Sequence, residues 1–197
     1  MQRCALFQTL EDRGDDAKVE LEGPYKCVRD DAWLGEGYYM WEHDIELARR
    51  WGKKCGHEKY VIGQSAYDFE TSMCFDLYNN PLHRDMLKVT YARIVEVVDD
   101  QKTVTVAVVL DRLKALMGDD FYFLAIRSKS EYVPVEKRVF YGESHREWMT
   151  IVPDFQLCIL HKSFLIEPFK IVEKGQNPQV RMIPKKSIMF KPFGDKR

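Results

Sequence analysis

Between Asn80 and Gly118 the sequence runs at helical period, while the segments on both sides run in short strand-like bursts. Few architectures accommodate that order. Asn80 before Pro81 is a helix start, a cap followed by a proline at the position where its missing N–H costs nothing. Leu87, Tyr91, Ile94, Val95 and Val98 then recur at helical spacing. Val106, Val109, Leu110, Leu113, Leu116 and Met117 make a second apolar stripe closed by Gly118, although its β-branched residues leave 103–110 readable as strand. Upstream, "CALFQTL", "LGEGYYMW", "KYVIGQSAYDF" and "MCFDLY" read as strands, with the polar, acidic "EDRGDDAKVELEGP" ending the first. Downstream, "FYFLAIRS", "KRVFYG", "FQLCILH" and "FLIEPFKIV" do the same. One further helix, "EHDIELARRWGKK", has Leu47 and Trp51 on one face, Glu46 beside Arg50 on another, and Gly52 suited to its stop. Helices grouped centrally with strands at both ends predict an α+β domain, and 197 residues suffice for a sizeable core. The last 25 residues carry three prolines and no periodicity, which predicts a domain over 1–172 and an extended tail over 173–197.

Charge and cysteine usage narrow the function classes. The net charge of −1 argues against coating nucleic acid by bulk electrostatics. The tail holds seven basic side chains against two acidic ones, a charge of +5 that leaves −6 on the remainder. Cys4, Cys27, Cys55, Cys74 and Cys158 show no CxxC spacing and read as reduced thiols, neither a disulfide framework nor a zinc site. No signal-like or membrane-spanning apolar run is present, so the expectation is a soluble cytoplasmic protein without membrane contact.

The densest aromatic stretch is "DAWLGEGYYMWEHDIELARRWG", 31–52, where two glycines precede a ring-rich strand and then a helix bearing Trp51. Flat rings beside a glycine turn suit a flat ligand, which stacking and cation–π attraction would hold. The pattern Gly35-x-Gly37-Tyr-Tyr39 followed by Trp51 resembles the nicotinamide-pocket signature of the ADP-ribosyltransferase-like superfamily, and "GPYKC" before it resembles small bacterial members of that fold. Two shorter segments extend the resemblance across 4–172. "ALFQTL" sets Phe7, Gln8 and Thr9 in the register of the first-strand motif, with Gln8 where histidine is common. "PDFQLCIL" sets Gln156 where a glutamate usually begins a late strand.

The resemblance implies an ADP-ribosyltransferase-like split mixed β core with surrounding helices, and NAD⁺ as co-substrate. It implies that Tyr39 and Trp51 sandwich the nicotinamide ring and that Gly37 admits the carboxamide. Gln8 and Thr9 would bind the adenosine-side ribose. Arg29 suits the diphosphate, because a guanidinium fork matches phosphate oxygens. Gln156 holds a ribose hydroxyl but cannot take a proton, so Glu143 or Glu147, in the target-recognition loop before it, is the candidate base. The implied activity is transfer of ADP-ribose to a macromolecule, as a toxin in a toxin–antitoxin or phage-defence setting. The basic aromatic tail, Lys185, Lys186, Phe190, Lys191, Phe193, Lys196 and Arg197, favours RNA over protein or DNA as target. It would equally dock an antitoxin or chaperone. Two rival readings stand beside this one. Gln8 and Gln156 together suggest an inactive fold used as a binding module, and the aromatic cluster also reads as core packing alone.

Overall fold

The structure is a computed structural model that describes residues 2–70, 73–130, 138–140, 148–150 and 154–177. Glu143, Glu147 and residues 178–197 lie outside the described residues. In chain order the elements are β1 (Arg3–Glu11), α1 (Asp16–Glu22), β2 (Tyr38–Glu42), α2 (Ile45–Lys54), β3 (Lys59–Asp68) and β4 (Cys74–Asp76). Then come α3 (Pro81–Val95), α4 (Val106–Met117), β5 (Ala125–Lys129), β6 (Arg138–Phe140), β7 (Trp148–Thr150), β8 (Phe155–Ile159) and β9 (Lys170–Gln176). The protein is a mixed α/β structure. Seven strands form one mixed sheet in the order β4-β5-β8-β2-β1-β3-β9, with β6 and β7 paired separately. Among the described residues only β4 and β5 run parallel.

Period-two alternation divides the sheet's residues between two faces. Met40, Leu157, Leu6 and Tyr67 pack on one face with Phe164 and Phe169. Tyr39, Cys158 and Ile126 pack on the other with Leu110 and Leu113 of α4, while Phe7, Trp41 and Ile62 meet Ala48 of α2. The helix caps explain where each helix starts. The Asn80 side chain accepts from the N–H groups of Leu82 and His83, and Thr105 accepts from Val108. With Thr105 as cap, 106–110 is helix and not strand, while Val98 lies beyond the end of α3.

Three local features depart from the sequence reading. The acidic run after β1 contains α1, two turns capped by Asp15 with no buried residue, so no apolar stripe announced it. Gly52 does not stop α2, which continues to Lys54. A Cβ there would sit 2.7 Å from the Tyr60 ring, so glycine lets helix and strand touch. β9 extends to Gln176 and pairs with β3, taking Glu173 to Gln176 into the sheet.

The joint between β1 and β2 positions the site. β1 pairs with β3 along its whole length but with β2 only at Leu6–Glu42 and Phe7–Trp41. Beyond Phe7 the two strands part. The Gln8 side chain fills the gap, donating to Tyr25 O (2.9 Å) and Tyr39 O (3.2 Å) and accepting from Tyr25 N (2.8 Å). That amide replaces the missing backbone ladder and secures the 25–37 segment over the opening.

Candidate functional site: an aromatic cleft at the strand divergence

A cavity of about 430 Å³ opens where β1 and β2 separate, a volume typical of small-molecule sites. Gln8, Thr9, Arg29, Tyr39, Trp51 and Gln156 all line it. So do Tyr25, Trp33 and Trp41, giving the cleft five rings, of which Tyr39 and Trp41 come from β2. A second cavity of about 420 Å³ shares Thr9, Leu10 and Tyr25 with it and is otherwise mainly charged, with Glu11, Arg13, Asp15, Lys18 and Glu22.

The Tyr39 hydroxyl accepts from Leu34 N (2.9 Å) and donates to Gly35 O (2.8 Å). It thereby closes the turn in which Gly35 takes a φ of 84°. Burial, chiefly, holds its proton well above the ordinary tyrosine range. Tyr39 therefore offers the cleft a fixed ring face and not an ionising hydroxyl. Trp51, 40 % exposed, presents a second ring from α2. Trp41 lies opposite Gln156 in the β2–β8 register.

Gly37 does not line the cavity. Its N–H and C=O pair with Cys27, and a Cβ would lie 2.4 Å from Cys158 Sγ and 2.8 Å from Ile159 O. Glycine there lets the 27–29 segment, which carries Arg29, lie against the sheet. Thr9 donates its hydroxyl proton to Ala48 O (2.6 Å), tying β1 to α2. Gln8 is committed to the strand gap at both ends of its amide. Arg29 pairs with Asp31 at the cleft rim, its Nε 2.8 Å from the carboxylate. That pair is solvent-exposed, so little free energy holds it together. Gln156 is half-buried and accepts from the Trp33 indole N–H at 2.7 Å. Among the described residues lining the cleft, Asp31 is the sole carboxylate.

Sequence reasoning missed Tyr25, Trp33 and Trp41. Trp41 was within reach, because alternation from Tyr39 sends it to the same face. Trp33 and Tyr25 arrive from a segment without regular structure, and no periodicity marks them.

The opposite face carries a different polar cluster. Arg127 on β5 donates to Glu42 (Nε–Oε2 2.8 Å) and Asp76 (3.0 Å), and its guanidinium lies 3.6 Å from the Phe155 ring centre. Tyr67 donates to the other Glu42 oxygen. Cys4, Glu42 and His43 bring potential metal-ligand atoms within 4.8 Å of one another. Both Glu42 oxygens are already engaged, and a guanidinium is its nearest cation, so this cluster fits a closed structural network.

No family model, curated protein or solved structure matches this chain. Among the described residues no helix is long and apolar enough to cross a membrane.

Proposed function

We propose that the cleft binds NAD⁺ and that the protein transfers its ADP-ribose unit to a macromolecular acceptor. One observation carries the reading. Gln8, Thr9, Tyr39, Trp51 and Gln156, named by resemblance from distant parts of the chain, line a single cavity together with Arg29, named for its guanidinium. A pyridinium is flat and cationic, and the Tyr39 and Trp51 rings offer it π faces. Arg29 would exchange Asp31 for the diphosphate, a trade a guanidinium makes readily. The parting of β1 and β2 beyond Phe7 supports the split β core that the resemblance implies. In the reaction the C1′–N bond breaks, nicotinamide leaves with the electron pair, and a nucleophile on the target takes its place at C1′ and loses a proton. Rigid rings and a fixed Gln156 supply positioning, which accounts for much of the acceleration when charge builds on the ribose. The toxin or defence setting, and RNA as target, go with this reading.

A second reading, a dinucleotide-binding module without turnover, is favoured by one specific observation. Gln8 and Gln156 are both held in hydrogen bonds that shape the cleft, and neither can take a proton. Purified protein incubated with labelled NAD⁺ and cell extract separates the two. Transfer predicts label in a macromolecule, lost in Tyr39→Ala and sensitive to RNase. Saturable NAD⁺ binding without label or nicotinamide release selects the binding module.

A further inference from the structure

Trp33 and Gln156, 123 residues apart, meet through one hydrogen bond at the cleft wall. An indole nitrogen only donates, so the glutamine atom 2.7 Å from it must be the carbonyl oxygen. The usual ambiguity between the two ends of a side-chain amide is removed here by the chemistry of the partner. The Gln156 NH₂ group, which makes no hydrogen bond among the described residues, is the end left for a ligand. Gln156 itself is held on β8 between Trp41 of β2 and Ser128 of β5, so the backbone cannot swing the amide round.

We infer that Trp33 locks Gln156 as a hydrogen-bond donor, so that the ligand atom bound at this point is an acceptor oxygen. A carbonyl, a phosphate oxygen or the lone pair of a hydroxyl satisfies it, whereas a group that must donate meets only the second lone pair of an oxygen already turned toward Trp33. Trp33 is the positioning residue and Gln156 the one that sets specificity. This rests on the cleft being the NAD⁺ site, and it sharpens that reading. A glutamate at this position would take a ribose hydroxyl proton as a hydrogen bond; the locked amide instead offers its own. The polarity of the contact is inverted.

The test combines calorimetric NAD⁺ titration of wild type, Gln156→Glu, Gln156→Met and Trp33→Phe with hydrogen exchange of the Trp33 indole N–H in the ligand-free protein. In Gln156→Glu one oxygen still accepts from Trp33, so the wall is kept, but the other oxygen now faces the ligand's acceptor. NAD⁺ affinity falls about tenfold or more in Gln156→Glu and less in Gln156→Met, which merely deletes the donor. Trp33→Phe, with the amide free to turn, weakens binding a few-fold. Gln156→Glu binding as tightly as wild type, or more tightly, overturns the inference. The exchange arm does not depend on NAD⁺. Trp33 indole exchange speeds up in Gln156→Met and stays slow in Gln156→Glu; equal exchange in wild type and Gln156→Met overturns the lock. A wild type that binds no NAD⁺ but keeps a Gln156-dependent indole overturns the dinucleotide reading alone.

Discussion

Trp41 and Glu42 are adjacent on β2, yet alternation sends them to opposite faces and into opposite kinds of polar environment. On Glu42's face, carboxylate, guanidinium and phenol satisfy one another, with Arg127 and Glu42 almost wholly buried. On Trp41's face, the polar atoms serve the walls of a cleft, and rings and the Gln156 NH₂ are left facing outward. Polar residues alone therefore do not mark a site. The telling difference is closure. A network whose members all find partners rigidifies the sheet, whereas one that leaves a donor and several ring faces pointing into a cavity is prepared for a ligand.

That contrast breaks most visibly at Arg127. Arg127→Met strands Glu42 in the sheet, and the expected loss is about 3–5 kcal/mol, read by urea or thermal unfolding. A loss under about 1 kcal/mol would mean the cluster is not a closed structural unit. Gln8→Ala sits between the two regions, because its amide both completes the β1–β2 joint and holds Tyr25 at the cleft. Leaving the Tyr25 N–H and C=O without that partner should cost about 1–3 kcal/mol and weaken NAD⁺ binding as well. Trp51→Ala should separate function from stability. With the ring 40 % exposed, unfolding shifts by about 1 kcal/mol or less, while NAD⁺ affinity drops about tenfold. The smallest effect concerns thiols. Burial, chiefly, pushes Cys158 up to about 11, so at pH 8 it stays protonated and resists alkylation. Its folded-state proton affinity is raised, so this stabilising contribution is present below the ordinary thiol range and fades as pH rises through about 11. Cys27, half-exposed in the cleft, should label at pH 8 and be protected by NAD⁺. Mass spectrometry of alkylated peptides reads both outcomes.

The helices α2, α3 and α4 were legible because apolar stripes, and at Asn80 a cap, are local signals, while the cap at Thr105 that fixes the start of α4 emerged only in the structure. α1 was not, since a two-turn surface helix needs no stripe and its charge pattern resembles a loop. The strand at 38–42 was visible in its rings, but not its partners. That β2 lies between β8 and β1 depends on pairing across more than a hundred residues, which no window of sequence contains. The same limit governs the site. Tyr39, Trp51, Gln8 and Gln156 were named from motif positions, but the contacts that hold them were not visible there. Gln8 became the clasp of the strand joint, and Gly37 became a close approach to Cys158. Trp33 had no signal of its own; only its hydrogen bond to Gln156 gives it meaning.

Isothermal titration of NAD⁺ into wild-type protein and Trp51→Ala, with unfolding curves for both, tests the central claim most directly. Saturable one-site binding that weakens about tenfold in Trp51→Ala, at nearly unchanged stability, is the result expected of a nicotinamide cleft between Tyr39 and Trp51. No saturable binding by wild type, or binding indifferent to Trp51, would contradict it and leave the five rings as a packed wall of the sheet.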